Sequence, residues 1–412
     1  MPSYLIPTPA RGVVSFRASF ETYPNLLVHE DLIQRLTVRL LDKGTQRRDR
    51  FAFADALEHR GATLAFTADE ARVGFAGRCL RDDLDAVLDL AAEALNAPLL
   101  DASEAAKVVM QLDAAYRHAE EDTAAQADAA LSRLLYAEGH PNYAEPFDVT
   151  RAAVAALSAD DAQRFHHDRF GRGALDLAVA GDVEGLDGDD LLARFGERAP
   201  APTPAVWPAT PDAAPRVADV AVPGKTSFDV RLGHVVPLTR PHPDYLPLRV
   251  ALFALGGNFS ARLMQTVRDR DGLTYGIGAS LEGASATFGG HALVRANFSP
   301  DVLDRGLVRV REEVQRLVDE GLGDAELDTV RQTLAGTHVV GLSTSGGAAA
   351  AQLAAIEYGL GADWLTVFPE LLAELTPERV NDVLRRYLHP ERLSVALAGT
   401  PSADAAEPMI QP

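Results

Sequence analysis

The chain contains 412 residues, 47% of them hydrophobic, with 39 Lys and Arg against 59 Asp and Glu and a net charge of −20 at pH 7. Single hydrophobic cores stop growing at about 250 to 300 residues, so two or more domains are expected. The acidic balance argues against a nucleic-acid partner, because phosphate recognition needs clustered positive charge. The single cysteine, Cys79, excludes an internal disulfide and a cysteine-built zinc site.

The first residues, Met1 to Arg11, contain no basic segment followed by an apolar stretch. No run of about 18 apolar residues occurs in the chain. We therefore expect no cleaved signal peptide, no membrane span and no membrane partner. A cytoplasmic location follows as the default expectation.

The first half of the chain reads as strands and helices in segregated runs. Gly12 to Phe20 alternates apolar and polar residues, which predicts a strand, and residues 28–41 carry one apolar helical face. Residues 48–60 predict a second helix that ends at Gly61. A hairpin, an amphipathic helix and a long helix follow at residues 63–67 with 72–78, at residues 84–95 and from Ser103. This order predicts an α+β fold, with helices packed on one face of a mainly antiparallel sheet.

Proline divides the chain near its middle. Residues 199–215 contain too much proline for a helix or a central strand, and they predict a semi-rigid, extended linker. The predicted organisation is an N-terminal domain (1–198), the linker (199–215), a C-terminal domain (216–402) and a flexible tail (403–412).

The two halves resemble each other in sequence. Residues 157–181 and 375–399 share a pattern at a constant shift of 218 positions, without a gap. Each copy predicts an N-capped helix, with Ser158 or Thr376 as the cap, followed by a short apolar strand that ends at glycine. Further matches upstream keep the same order, so we infer that the α+β domain is duplicated.

The second half carries the segment Gly256-Gly-Asn-Phe-Ser-Ala-Arg-Leu-Met264, followed by the pattern Arg-x-x-x-Gly-Leu-x-Tyr from Arg268 to Tyr275. With the duplication, and with Asp42-Lys43-Gly44-Thr45 and Gly139-His140-Pro141 in order, the chain resembles the insulinase/pitrilysin family of zinc metallopeptidases, in its processing-peptidase-like bacterial branch. The resemblance implies two duplicated domains that the linker joins into a clam-like shell.

In that family, an arginine and a tyrosine of the second domain meet the peptide that is bound at the zinc of a first domain. The resemblance therefore implies catalytic roles for Arg268 and Tyr275, which would bind substrate and donate hydrogen bonds to the developing oxyanion. The plain structural alternative is that Arg268 is a solvated helix residue and Tyr275 a strand-edge aromatic.

The zinc half of such a site is missing from the sequence. The family uses a His-x-x-Glu-His helix, in which two histidines bind the metal and the glutamate acts as general base. Anchoring the family's Lys-Gly-Thr pattern on Lys43-Gly44-Thr45 places Arg35 and Arg39 at the histidine positions and Val38 at the base. The third-ligand region offers Gln111 or Leu112, and no two of the eleven histidines are separated by three, four or five residues. We expect no metal and no other cofactor in this chain.

These observations predict a non-catalytic subunit of a peptidase complex. Arg268 and Tyr275 would act in trans, in a heterodimer with a homologous subunit that carries the zinc, on a peptide or an unfolded segment. For the chain in isolation, a homodimer is a further expectation. Two alternatives stay open: a structural subunit without a catalytic contribution, and a stand-alone metallopeptidase with an atypical metal site.

The segment from Leu342 to Ala351 is rich in serine, glycine and alanine. It invites comparison with the glycine-rich substrate loop of the non-catalytic processing-peptidase subunit. The favoured interpretation is a helix kink followed by a buried alanine-rich face, because small residues permit close packing.

Overall fold

The fold comes from a computed structural model that describes residues 3–69, 71–203, 207–208 and 214–400. The predicted tail, residues 403–412, and part of the predicted linker lie outside the described residues.

The first sheet has five strands in the order β1-β5-β2-β4-β3. Strand β1 runs parallel to β5, and every other neighbouring pair in this sheet is antiparallel. The strands are β1 (Ser3–Pro7), β2 (Val13–Glu21), β3 (Thr63–Ala68), β4 (Arg72–Leu80) and β5 (Asp176–Gly181). The predicted strand at residues 12–20 and the predicted hairpin are confirmed, whereas β1 was not predicted.

The second sheet repeats this order as β6-β10-β7-β9-β8, again with one parallel pair, β6 with β10. Its strands are β6 (Val217–Ala221), β7 (Phe228–Val236), β8 (Ile277–Glu282), β9 (Gly290–Phe298) and β10 (Ser394–Gly399). Two sheets with one strand order confirm the duplicated, mainly antiparallel α+β architecture.

The helices of the first half are α1 (Glu30–Leu40), α2 (Arg50–Glu58), α3 (Leu84–Asn96), α4 (Ala102–Glu121), α5 (Thr123–Leu135), α6 (Phe147–Ala155), α7 (Ala159–Arg169) and α8 (Gly188–Ala193). Those of the second half are α9 (Tyr245–Gly256), α10 (Leu303–Glu320), α11 (Asp324–Leu342), α12 (Ser345–Glu357), α13 (Trp364–Glu374) and α14 (Pro377–Tyr387). Local chemistry sets their ends as predicted. The side chain of Ser158 caps α7 in a capping box, that of Thr376 caps α14, and Gly61 takes the left-handed conformation after α2.

The chain divides into two compact units, each built from three segments and one sheet. Unit 1 comprises residues 1–115, 148–207 and 337–365, and unit 2 comprises residues 116–147, 208–336 and 366–412. Each unit therefore includes one helix from the opposite half of the sequence. Helix α12 packs on β2 and β5 in unit 1, and α5 packs on β7 and β10 in unit 2. The predicted domain limits at residues 198 and 216 describe the two halves of the sequence and not these compact units, and they stay a prediction.

The core of unit 1 lies between its sheet and helices α1, α3 and α7. Strand β2 directs Phe16 and Phe20 into this core, and α1 contributes Val38. The opposite face of β5 carries Ala178 and Ala180, which contact the alanines of α12 in a smaller apolar cluster. The predicted kink is confirmed, because α11 and α12 meet at an angle of 115°. The predicted buried alanine face is confirmed at Ala348 and Ala349.

Within the described ranges, no single helix is both long and apolar enough to cross a membrane. The bent pair α11 and α12 passes the same test of length and composition when its two helices are taken together.

Candidate functional site

Arg268 lies on a π-helix, Met264–Arg270, that follows α9 in unit 2. The helix buries Met264, Thr266 and Val267. Its wide turn is visible at the end, where the Asp271 amide donates to the Thr266 carbonyl at 3.0 Å. π-Helical turns are rare and are found disproportionately at functional sites, so this geometry singles the segment out.

The glycine of the motif reverses the chain. Gly272 has φ +64°, in the left-handed region that side chains disfavour. Directly after it, the Leu273 amide donates to the Val267 carbonyl at 3.0 Å, and the Leu273 side chain is buried. The Thr274 hydroxyl then donates to the Asn297 carbonyl at 2.6 Å. Gly272, Leu273 and Thr274 therefore fix the loop, and the residue that follows them is directed outward.

That residue is Tyr275, whose surface is 92% exposed. Within the described part of the chain, its side chain makes no hydrogen bond and no ring contact. A tyrosine in this position contributes little to the packing of unit 2. Its phenol is free to meet a molecule outside the chain.

The guanidinium of Arg268 lies over the ring of Phe259, 5.4 Å from the ring centroid. Its Nε lies 4.0 Å from the Asp269 carboxylate, at the limit of an ion pair. Among the described residues, it donates no side-chain hydrogen bond, and its donors are available to an external acceptor.

The two other arginines of the segment are engaged. Arg262 donates to both oxygens of the Glu326 carboxylate, at 2.8 and 2.6 Å, and this pairing raises its pKa. Arg270 donates to Asp271 at 2.8 Å. The contrast separates Arg268 from two arginines whose side chains are engaged in ion pairs.

Sequence reasoning gave no role to Phe259, which is 76% exposed in the loop after α9. The Asn258 carboxamide oxygen fixes this loop by accepting from the Ser260 amide at 3.0 Å and the Ser260 hydroxyl at 2.9 Å. An exposed aromatic beside glycines, nine positions before the motif arginine, was the available signal. The structure brings Phe259 and Arg268 into contact, which sequence spacing alone does not reveal.

The degenerate zinc-motif positions lie on α1. Arg35 and Arg39 are exposed, one turn apart, whereas Val38 is 4% exposed and belongs to the core of unit 1. On α4, Gln111 is exposed and Leu112 is buried. A guanidinium has no lone pair for a metal, and a valine cannot act as a general base. These residues do not fit a zinc ion. Among the described residues, no cluster of three or more His, Cys, Asp or Glu side chains could hold a metal.

A second feature of unit 2 is a buried histidine on strand β7. His234 is 4% exposed, its Nδ1 lies 3.0 Å from the Val235 carbonyl, and its Nε2 accepts from the His389 amide at 3.1 Å. Burial lowers the pKa of His234 to about 4. An imidazole that accepts a hydrogen bond at Nε2 is neutral, and this bond ties β7 to the backbone at His389.

Two family models match the chain. The model described as "Insulinase (Peptidase family M16)" matches residues 35–143. The model described as "Peptidase M16 inactive domain" matches residues 156–334. The two matches cover the segment with the degenerate zinc positions and the segment with the Arg268–Tyr275 motif.

The relatives that the chain resembles include both zinc proteases and a non-peptidase homolog. An uncharacterized zinc protease of Mycobacterium bovis is 30% identical over 319 residues, which cover 74% of this chain and 70% of the relative. The non-peptidase homolog YmxG of Helicobacter pylori is 20% identical over 375 residues, which cover 90% of this chain and 85% of the relative.

Among solved structures, the chain is similar to the crystal structure of the peptidase M16 inactive domain from Pseudomonas fluorescens. The superposition covers 97% of this chain and 96% of the Pseudomonas fluorescens chain. The TM-score is 0.85 at 20% sequence identity. At that identity, the similarity establishes a shared fold.

Proposed function

The chain belongs to the insulinase family, peptidase family M16, and from that premise we propose that it is a non-catalytic subunit that supplies Arg268 and Tyr275 to a zinc-bearing homologous partner. One contrast carries the proposal. Neither motif side chain has a hydrogen-bonding partner among the described residues, and Tyr275 is 92% exposed while the Arg268 side chain is 35% exposed. By contrast, Arg35 and Arg39 hold the positions of the metal ligands, and the buried Val38 holds that of the general base.

The chemistry of the two side chains fits the stabilisation of negative charge. A guanidinium and a phenol are both hydrogen-bond donors, and neither needs to lose a proton to act. When a nucleophile attacks a peptide carbonyl, charge develops on the carbonyl oxygen, and pre-positioned donors lower the barrier. In the proposed complex the partner supplies the metal, the nucleophilic water and the general base. This chain holds the peptide and the oxyanion.

The surrounding structure supports a pre-positioned pair of donors. Tyr275 projects from a loop that Gly272, Leu273 and Thr274 fix, and Arg268 rests on the Phe259 ring. A fixed backbone at Tyr275 and a guanidinium that already rests on a ring leave less conformational freedom to lose when a substrate binds. The names of the relatives, one a zinc protease and one a non-peptidase homolog, are compatible with a family in which catalytic and non-catalytic members coexist.

The partner and the location of the complex stay predictions. The partner is a family member with an intact His-x-x-Glu-His helix, and the substrate is a peptide or an unfolded segment. A cytoplasmic location stays the default expectation. For the chain without its partner, a homodimer stays a further expectation.

The test is co-expression of this chain with the zinc-bearing family member from the same genome, followed by cleavage of a quenched fluorogenic peptide. Arg268→Ala and Tyr275→Phe should each lower kcat/KM of the purified pair by about 10²- to 10³-fold, the usual effect of removing one oxyanion donor. Arg270→Ala is the matched control, since this exposed arginine lies on the same π-helix and pairs with Asp271. It should leave the activity unchanged.

Each alternative has its own outcome. If both variants keep full activity while omission of the chain abolishes cleavage, the chain is a structural subunit. If the isolated chain binds zinc stoichiometrically and cleaves the peptide alone, it is a metallopeptidase with an atypical site. Either result would overturn the proposal.

A further inference from the structure

The repeated architecture aligns individual residues of the two sheets. Arg17 on β2 pairs with Ala178 on β5, and Arg231 on β7 pairs with Ala396 on β10. Ala178 and Ala396 occupy the same position of the repeated segment, because they differ by the constant shift of 218. Arg17 and Arg231 are therefore equivalent residues of the two units.

Helices α5 and α12, which cover the equivalent faces of the two sheets, align in the same way. The hydroxyl of Thr123, the first residue of α5, donates to Asp229 at 2.7 Å. The hydroxyl of Ser345, the first residue of α12, lies 2.9 Å from that of Ser15, which is the equivalent of Asp229. The first residues of α5 and α12 therefore occupy equivalent positions. Asp128 and Ala350 are each the sixth residue of their helix, so they are equivalent as well.

The last residues of the two helices confirm this register. Glu357 ends α12 and accepts a hydrogen bond from the Ser19 hydroxyl at 2.6 Å. Leu135 ends α5 and packs beside Gly233, the equivalent of Ser19. The alignment therefore holds along the full length of both helices.

The two units differ at the arginine. In unit 2, Arg231 is buried and its Nη2 donates to the Asp128 carboxylate at 3.2 Å. In unit 1, Ala350 stands where Asp128 would be, and Arg17 is exposed. Within the described ranges, Arg17 makes no ion pair. Unit 1 therefore has the arginine but lacks the carboxylate that pairs with it in unit 2.

A cavity of about 200 Å³ lies at this place, between α12 and the first sheet, with Arg17 and Ala350 in its lining. Small side chains make the space. Gly74 faces Ser19 on β2, whereas Leu293 takes the equivalent place in unit 2, where it is buried against Leu131 and Leu135. Gly74 thus lines the cavity at the place where unit 2 has a leucine side chain.

The other charged groups of the cavity wall already have partners. The Glu357 carboxylate accepts from Ser19 and lies 3.6 Å from Arg72 Nε, and Arg72 Nη2 donates to Asp176 at 2.9 Å. The Asp69 carboxylate accepts from the Arg72 amide at 2.7 Å. In the lining that the structure describes, the two cations are Arg17 and Arg72, and Arg17 is the one that lacks a partner of opposite charge.

We propose that this cavity binds a carboxylate-bearing group, which pairs with Arg17 in the place that the Asp128 carboxylate occupies beside Arg231. Guanidinium groups favour carboxylates because their parallel N–H donors match the two oxygens. The size of the cavity suits one acidic side chain or a small dicarboxylic acid. The proposal is independent of the function proposed for Arg268 and Tyr275, which lie in the other unit.

The test is a titration of the full chain, with arginine Nε–H signals observed by NMR. The probes are glutarate, glutamate blocked as its N-acetyl amide, and the equally blocked glutamine, which has the shape without the charge. The Arg17 signal, assigned by its loss in Arg17→Gln, should shift saturably with at least one carboxylate and stay unchanged with blocked glutamine. Saturation with glutarate alone identifies a free dicarboxylate as the ligand class, and saturation with blocked glutamate identifies an acidic peptide side chain.

Three variants decide the result. Arg17→Gln, followed through the Nε–H signal of Arg72 in the cavity wall, should weaken binding by at least about tenfold, the loss expected for a charge-assisted contact. Arg78→Gln, which changes an exposed arginine on β4 outside the cavity lining, should not. Ala350→Asp should abolish binding and raise the urea midpoint, because it installs the missing carboxylate. The proposal is overturned if no carboxylate saturates, if Arg17→Gln binds as well as the wild type, or if Ala350→Asp does.

Discussion

The Arg231 guanidinium holds the Asp128 carboxylate against strand β7, with Nη2 to Oδ2 at 3.2 Å and a second bond from Nε to Oδ1. The arginine is 6% exposed, so its charge depends on this partner and on Asp229 at 3.4 Å. The pair joins α5, from the first half of the sequence, to the second sheet. A buried cation of unit 2 is thus paired with a carboxylate from a distant part of the chain, and the Asp128 side chain itself is 57% exposed.

Asp128→Ala should lower the free energy of unfolding by about 2 kcal/mol, because it leaves a buried cation without its main partner. Asp128→Asn, which keeps one acceptor oxygen, should cost less. Urea unfolding monitored by circular dichroism measures both. Equal stability of the alanine variant and the wild type would show that Asp229 alone satisfies Arg231.

We expect alanine substitutions at Gly272 and Gly336 to change the stability of the protein in opposite directions. An alanine at Gly272 meets no atom within 4 Å, yet it must adopt φ +64°, which costs about 1 kcal/mol. Gly336 is exposed on α11 and also has open space, so alanine there should stabilise the helix by up to about 1 kcal/mol. Thermal or urea unfolding of both variants gives the signs. A stabilising Gly272→Ala would contradict the left-handed turn.

Phe259 should tune the action of Arg268 in the proposed complex. Phe259→Ala and Phe259→Leu remove the ring beneath the guanidinium, and a cation–π contact at an exposed site contributes about 0.5–1 kcal/mol. Both variants should therefore lower kcat/KM of the pair by about two- to fivefold, and Phe259→Tyr should not.

The matched control for Phe259 is Phe51→Ala. Phe51 is also exposed, and it also lies under an arginine, Arg50, whose guanidinium carbon is 5.1 Å from the ring centroid. It belongs to unit 1 and lies outside the motif. If Phe51→Ala and Phe259→Ala change the activity equally, the effect is one of general stability and the specific role of Phe259 fails.

Much of the fold could be predicted because local patterns decide it. The alternation of residues 12–20, the caps at Ser158 and Thr376 and the stop at Gly61 each have a short-range physical cause, and the structure contains all four features. The constant shift between residues 157–181 and 375–399 predicted the repeated architecture. Strand β1 was missed, since its five residues, Ser3–Pro7, do not alternate apolar and polar side chains as those of β2 do.

Contacts between residues distant in the sequence limited how much of the candidate site could be predicted. Arg268 and Tyr275 could be singled out from the family pattern, but the exposure of Tyr275 and the contact of Arg268 with Phe259 depend on the π-helix and the loop that follows it. The unmatched Arg17 was invisible for a related reason. Its equivalence to Arg231 emerges only when the strand pairing of both sheets and the register of α5 and α12 are known.

The buried His234 predicts how stability depends on pH. Its pKa falls from the ordinary value of 6.5 to about 4 in the folded protein, because burial disfavours the charged ring, and the nearby His389 and Arg392 act in the same direction. Between these two values the unfolded state binds more protons than the folded state. The free energy of unfolding therefore decreases as the pH falls from about 6.5 to about 4.

A full shift of this size corresponds to about 3 kcal/mol, at about 1.4 kcal/mol for each pKa unit. His234→Gln should remove this share of the pH dependence, since glutamine does not titrate and its carboxamide oxygen can still accept from the His389 amide. Urea unfolding at several values between pH 4 and 7 measures how the free energy of unfolding depends on pH. His167→Gln, which changes an exposed histidine, is the control and should leave this pH dependence unchanged. An NMR titration of the His234 ring checks the cause directly. A midpoint near 6.5 would mean that the folded protein accommodates the charged ring, and the expected loss of stability in acid would then need another source.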